Sequence, residues 1–147
     1  MATYLVTGAT GLIGRHFVAE ILARPDTERV WVLVRERSQE RLAEVARNWP
    51  DADRVRNLVG DIRAERLGIS DDQVAELVGG VDHLVHLAAL YDIAADDDAS
   101  IAANVEGTRH VLALAEALRV GCLDHVSSVA VAGDYRGRFT EEMFDAG

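Results

Sequence analysis

The chain has a single cysteine, two prolines and no lysine, so all 15 of its basic residues are arginines. Cys122 has no partner for an internal disulfide, and a reducing cytoplasmic setting is the natural expectation. Positive charge is also short. Those 15 arginines face 25 acidic residues, for a formal net charge of −10. A surface without a basic excess argues against a nucleic-acid partner or an anionic membrane, and is otherwise an ordinary solvated surface. No apolar run reaches membrane-spanning length, and no charged n-region with an apolar h-region precedes the first strand. Membrane insertion and secretion are therefore not expected. Internal repeats, low-complexity tracts and interdomain linkers are missing too, and 147 residues fit one domain with a sizeable core.

What is present is concentrated at the start. Residues 4–14 read Tyr-Leu-Val-Thr-Gly-Ala-Thr-Gly-Leu-Ile-Gly. An apolar, β-prone run from Tyr4 to Thr7 enters three glycines, Gly8, Gly11 and Gly14, and a helical pattern follows with Phe17, Val18, Ile21 and Leu22. Strand, glycine turn and helix in that order suit a dinucleotide pyrophosphate. Gly8 permits the tight turn, Gly11 lets backbone N–H groups approach the phosphates, and Gly14 lets the helix pack close to the strand. The helix start supplies free N–H groups and the positive end of the dipole. The plainer alternative is a glycine-rich turn with no ligand.

Strand and helix patterns then alternate along the chain. Val30–Val34 and Val55–Val59 read as strands, the first a continuous apolar run suited to burial on both faces. Ser38–Trp49 reads as a helix with Ser38 as its cap and Pro50 as its stop. Ser70-Asp71-Asp72 caps a short helix carrying Val74, Leu77 and Val78 and closed by Gly79-Gly80. Asp82–Leu87 is a fourth strand. Asp96–Leu118 is a long helix with Ile101, Val105, Val111, Leu112 and Leu118 facing inward and Gly121 at its end, and His125–Val131 is a fifth strand. This alternation predicts an α/β fold, a doubly wound parallel (Rossmann) sheet of five strands in order 3-2-1-4-5. The cofactor would cross the carboxyl ends of the strands where the order reverses.

The fingerprint Thr7-Gly8-Ala9-Thr10-Gly11-Leu12-Ile13-Gly14 resembles the TGxxGxxG motif of the extended short-chain dehydrogenases/reductases. Four more stretches fall in that family's order: Gly60-Asp61-Ile62, His86-Leu87-Ala88-Ala89, Asn104-Val105-Glu106-Gly107-Thr108, and Val126-Ser127-Ser128-Val129-Ala130-Val131-Ala132-Gly133. The resemblance covers essentially the whole chain and implies cofactor contacts from Gly8, Thr10, Gly11, Leu12, Ile13 and Gly14. It implies that Asp61 accepts from the adenine amino group and that Ile62 packs on the ring. Small Ala88 and Ala89 leave room for ribose and pyrophosphate. As alternatives, Asp61 is a turn aspartate and the alanines are core residues. Asn104, which in the family helps hold the active site and its waters, reads otherwise as a satisfied buried amide. Gly107 costs about 1 kcal/mol against Ala in a helix interior, so close packing on the sheet is its expected purpose.

Arg35 ends strand 2, where an NAD-preferring site places Asp or Glu. A guanidinium there suits a 2′-phosphate, with Arg15 and Ser38 as candidate helpers, so NADP is expected over NAD. Glu36 could take the NAD role if the register lay one residue away, and a solvated Arg35 is the plain alternative. No metal is expected from Asp-His-Leu-Val-His, because a strand turns His83 and His86 to opposite faces.

Ser128 is the catalytic candidate. The matching serine or threonine of the family bonds the substrate carbonyl, a contact worth most as negative charge develops there. Ser127 should face the other way. The family's proton donor is the tyrosine of a Tyr-x-x-x-Lys helix. Here Tyr135 is followed four residues later by Phe139, and no lysine exists. The expectation is the amino-terminal piece of a longer reductase, inactive alone, whose parent moves hydride between NADP(H) and a carbonyl, acyl thioester or alcohol. A strand-5 edge left unpaired would invite self-association. The competing reading is a non-catalytic NADP(H)-sensing or scaffold domain. An S-adenosylmethionine methyltransferase fits poorly, since the glycine spacing is wrong.

Overall fold

A computed structural model describes residues 1–90 and 97–143. The predicted start of the long helix at Asp96 and the terminal Asp145-Ala146-Gly147 lie outside the described residues. The chain order is β1 (Ala2–Thr7), α1 (Leu12–Leu22), β2 (Thr27–Val34), α2 (Gln39–Ala46), β3 (Val55–Val59), α3 (Asp71–Leu77), β4 (His83–His86), α4 (Asp97–Ile101), α5 (Gly107–Leu118) and β5 (Cys122–His125). A π-helical turn, Ala102–Glu106, joins α4 to α5. The strands form one parallel sheet in the order β3-β2-β1-β4-β5, the doubly wound arrangement expected from the alternation.

Strand alternation divides the core into two layers. Tyr4, Val6, Val30, Val32 and Val85 turn to one face and pack with Val18, Ile21 and Leu22 of α1 and with Leu42 and Trp49. Leu5, Leu33, Leu58 and Leu84 turn to the other and meet Leu77 of α3 with Val111, Leu114 and Leu118 of α5. Burial on both faces explains the uninterrupted Val/Leu runs of the central strands. At about 1.5–3 kcal/mol for each fully buried Val or Leu side chain, these layers dominate the stability.

Helix ends follow local chemistry. Ser70 caps α3 in a reciprocal box: its Oγ accepts from the Gln73 N–H at 3.3 Å, and Gln73 Oε1 accepts from the Ser70 N–H at 3.0 Å. Ser38 precedes α2 but makes no side-chain cap bond, because residues 36–38 form a 3-10 turn ahead of the helix. The long helix ends at Leu118 on a left-handed Arg119 (φ 54°), not at Gly121. Gly121 is small for another reason: a Cβ there would lie 2.9 Å from the Asp82 carbonyl oxygen. On that helix Val111 and Leu118 are buried as expected, whereas Ile101, Val105 and Leu112 are exposed.

The fifth strand is shifted. It spans Cys122–His125 instead of His125–Val131, and the apolar stretch beyond it forms a 3-10 turn, Val129–Ala132, with Val129 and Val131 exposed. The cause is the neighbour. β4 ends at His86, which pairs with His125, and the Val126 N–H to His86 carbonyl bond (3.1 Å) is the last link between the two strands. Beyond it, among the described residues, β4 offers no further ladder to join.

Candidate cofactor-binding site

At the carboxyl ends of β1, β2, β3 and β4 an open cleft of about 340 Å³ is bounded by the glycine turn, the β2 end, the segment after β3 and the segment after β4. Of the residues assigned from sequence, Gly8, Thr10, Gly11, Arg35, Asp61, Ile62, Ala88 and Ala89 line it. Leu12, Ile13 and Gly14 sit in the first turn of α1 and do not, with Leu12 and Ile13 exposed at the helix start. Ser128 lies past β5, exposed, its Oγ accepting from the Ala130 N–H at 3.2 Å; it does not line the cleft. Ser127 is exposed as well, outside any strand that could orient it by alternation.

The three glycines divide their work. Gly8 has φ +77°, and a Cβ on it would meet the Ala88 nitrogen at 2.7 Å, so the turn and the segment after β4 touch backbone to backbone. A Cβ on Gly14 would fall 2.7 Å from Ala9 Cα, so α1 packs against the turn only without a side chain. Gly11 is the exception. Its Cβ would find only the Gly8 carbonyl oxygen at 3.2 Å, and Gly11 opens α1 as an exposed extended residue facing the cleft. This backbone is shaped for a pyrophosphate at the helix start, where N–H groups lack intrahelical partners. The residues present therefore fit a dinucleotide.

Arg37, Arg63 and Ser38 line the same cleft as Arg35. Sequence reasoning named Arg35 and Ser38 and missed Arg37 and Arg63; the signal was the Arg-Glu-Arg-Ser run after β2 and the Asp-Ile-Arg run after β3. Glu36 turns aside, its Oε1 accepting from Gln39 Nε2 at 2.9 Å. Arg15 does not line the cleft, and its carbonyl accepts from Trp49 Nε1 at 2.8 Å. In a chain of net charge −10, three guanidiniums beside one carboxylate make this corner locally attractive to anions.

Asp61 is gripped by its neighbour. Arg63 donates to it through Nη2 (2.8 Å), Nε (3.1 Å) and its backbone N–H (3.0 Å). The hydrogen-bonded Arg63 guanidinium, aided by Arg35, holds the Asp61 carboxyl below the usual range despite partial burial. Ile62 is positioned from α5: its side chain occupies the space that Gly107 leaves empty, and its carbonyl lies 2.9 Å from His110 Nδ1. Gly107 thus makes room for Ile62 rather than for the sheet.

Under the glycine turn a hydrogen-bond chain joins three motifs. The Ala88 N–H donates to Thr7 Oγ1 (3.2 Å), which lies 2.7 Å from His86 Nδ1. His86 Nε2 is 3.5 Å from Thr108 Oγ1, whose own proton goes to the Asn104 carbonyl at 2.7 Å. Since Thr108 spends its proton on a carbonyl, His86 must donate from Nε2 and accept at Nδ1, the neutral tautomer. Burial, and secondly the His125 ring stacked at 5.2 Å, push its pKa down to about 4. Asn104 completes the chain: Oδ1 accepts from the Leu90 N–H (2.7 Å) and Nδ2 donates to the Leu90 carbonyl (2.9 Å). Asn104 is exposed, so its amide is satisfied but not buried, and it sits on the π-helical turn. The linking role of His86 was missed in the sequence.

Fold and site together define a dinucleotide-binding domain of the extended short-chain dehydrogenase/reductase type. A family model described as male sterility protein matches residues 6–147, and the chain belongs to that NAD(P)-binding family. The terminal R domain of the myxalamid PKS-NRPS biosynthetic pathway superposes with a TM-score of 0.81 at 34% identity, over 94% of this chain and 37% of that one. A nonribosomal peptide synthetase reductase domain from Mycobacterium tuberculosis gives 0.74 at 26% identity, over 92% of this chain and 35% of the other. Probable fatty acyl-CoA reductase 5 of Arabidopsis thaliana is 31% identical over 166 residues, 97% of this chain and 34% of the relative. The chain therefore spans about a third of the length of these three relatives. Among the described residues no helix is long and apolar enough to cross a membrane.

Proposed function

We propose that the chain is the NADP(H)-binding portion of a reductase that delivers hydride to an acyl thioester or a related carbonyl compound. One observation carries the cofactor preference: Arg35, Arg37 and Ser38 meet the glycine turn in a single cleft, while Glu36 bonds to Gln39. Guanidiniums recognise phosphate by charge-assisted, bidentate bonds, and an acidic side chain on the ribose would be needed for NAD. NADPH would supply the hydride. The glycine turn would hold its pyrophosphate, Ile62 would pack on the adenine, and the His86–Asn104 chain would keep the segment after β4 against the turn.

The substrate class rests on the relatives, which are named as synthetase reductase domains and a fatty acyl-CoA reductase. Ser128 would bond the carbonyl oxygen as charge develops there. Protonation of the resulting alkoxide needs a donor that this chain does not offer in the family's Tyr-x-x-x-Lys form. Tyr135 packs edge-on against Phe139 at 5.7 Å, and there is no lysine. A second reading is an NADP(H)-sensing domain without catalysis. Substrates would be small molecules, not nucleic acid, and the exposed β5 edge would favour self-association.

An assay of NADPH oxidation with long-chain acyl thioesters and aldehydes separates the readings. The protein carrying this domain should turn over thioesters, and Ser128→Ala should lower kcat on the order of 10²-fold or more. The 147-residue chain alone should be inert. Turnover by the chain alone that survives Ser128→Ala would overturn this assignment.

A further inference from the structure

At the opposite end of the sheet from the cleft, the amino-terminal ends of β4 and β5 bring together three side chains that neither the fold nor the cofactor requires. The parallel register sets His83 beside Cys122 and Val85 beside Asp124. Alternation then places His83, Cys122 and Asp124 on one face. Their ligand atoms, the His83 Nδ1, the Cys122 Sγ and an Asp124 carboxylate oxygen, all lie within 4.8 Å of one another. His83 and His86, three apart on one strand, do face opposite sides. The partners of His83 come instead from the neighbouring strand, 39 and 41 positions along the chain.

We propose that His83, Cys122 and Asp124 form a divalent-metal site, suited to Zn²⁺, that ties β4 to the edge strand β5.

The spacing supports this. Zinc bonds of about 2.0–2.3 Å at tetrahedral angles put nitrogen, sulfur and oxygen donors about 3.3–3.6 Å apart. Here His83 Nδ1 lies 3.3 Å from Asp124 Oδ2, and Cys122 Sγ lies 3.8 Å from Asp124 Oδ1. Binding would draw the three ligand atoms, now within 4.8 Å of one another, in to those separations around the ion. The imidazole plane is already set, since the Tyr4 ring stacks on His83 with centroids 5.0 Å apart and planes 15° apart. A thiolate, an imidazole and a carboxylate make a borderline donor set that favours zinc and its neighbours over Mg²⁺ or Ca²⁺, which take oxygen. Cys122 and Asp124 are exposed, so the fourth position is open to water. Binding would release the Cys122 thiol proton to solvent. The site would brace a four-residue strand that, among the described residues, has a ladder on one side only.

Without a metal the same three groups satisfy one another by hydrogen bonds, and the experiment must separate the two cases. The probe is Co²⁺, titrated into the reduced chain while the thiolate-to-cobalt charge-transfer absorption is followed. Cys122 is the only cysteine, so the band reports on this site alone. The expected result is one equivalent bound, displaced by Zn²⁺, with no band in Cys122→Ser. His83→Gln and Asp124→Asn should each weaken binding on the order of tenfold or more. Zn²⁺ should raise the melting temperature of the native chain and leave that of Cys122→Ser unchanged. Circular dichroism verifies that each variant is folded. No band in the folded native chain would overturn the proposal. So would a band of undiminished affinity in the His83→Gln/Asp124→Asn double variant, which would mean a lone thiol binding metal.

Discussion

Thr7 and His86 are register partners in the parallel β1–β4 pair, and the Thr7 hydroxyl oxygen lies 2.7 Å from His86 Nδ1. The threonine that opens the glycine fingerprint is thereby fixed to the histidine that ends β4. Through the Ala88 N–H on one side and Thr108 and Asn104 on the other, the bond reaches both walls of the segment after β4. A single polar chain thus runs from the buried Thr7–His86 pair under the glycine turn out to the exposed Asn104.

The first prediction follows from the buried imidazole, which is 2% exposed. In the folded chain its pKa is about 4, against 6.5 in its unperturbed state. Between those values the unfolded chain binds the proton and the folded chain does not. Stability should therefore be full above pH 6.5 and fall as the pH drops toward 4, by on the order of 3 kcal/mol at most. Denaturant unfolding at stepped pH measures the slope. His86→Asn should be less stable at pH 7 and should flatten the slope in that window; an unchanged slope would refute the assignment.

The second concerns the glycines. Gly14→Ala should destabilise the fold by about 1–3 kcal/mol, because its methyl group collides with Ala9 and the Gly8 carbonyl. Gly11→Val should unfold within a few degrees of the native chain yet lose NADPH binding, since its side chain enters the cleft and not the core. Thermal melts paired with fluorescence titration distinguish them. A folded Gly11→Val that binds normally would make the turn purely structural.

The third concerns Asn104. Its two bonds to Leu90 are together worth about 1–3 kcal/mol. Asn104→Ala should release the segment after β4 and weaken NADPH binding while α5 persists. Asn104→Asp should weaken it as well, because a carboxylate would face the Leu90 carbonyl. Native affinity in both variants would show that the clamp does not shape the cleft.

Much of this was legible in the sequence. The run Val55–Val59 is β3 to the residue, the Ser70 cap starts α3, and the glycine spacing names the turn. These are local signals: a hydrophobic period, a cap, a positive φ. What escaped depended on partners. Val126, Val129 and Val131 are apolar and β-branched, yet β5 stops at His125 because β4 stops at His86. What the strand order brings together is the loop after β2, with Arg35 and Arg37, and the loop after β3, with Asp61 and Arg63. No period encodes that. Ile101, Val105 and Leu112 carry helical spacing but stand exposed among the described residues, since an apolar stripe specifies a face and not what covers it.

The most direct measurement is a calorimetric titration of the native chain and Arg35→Ala with NADP⁺ and NAD⁺. A charge-assisted phosphate contact contributes about 1.5–3 kcal/mol, so NADP⁺ should bind roughly 10–100 times more tightly than NAD⁺. Arg35→Ala should remove most of that difference while leaving the NAD⁺ affinity nearly unchanged. Equal affinities in the native chain, or a preference that survives the substitution, would contradict the account.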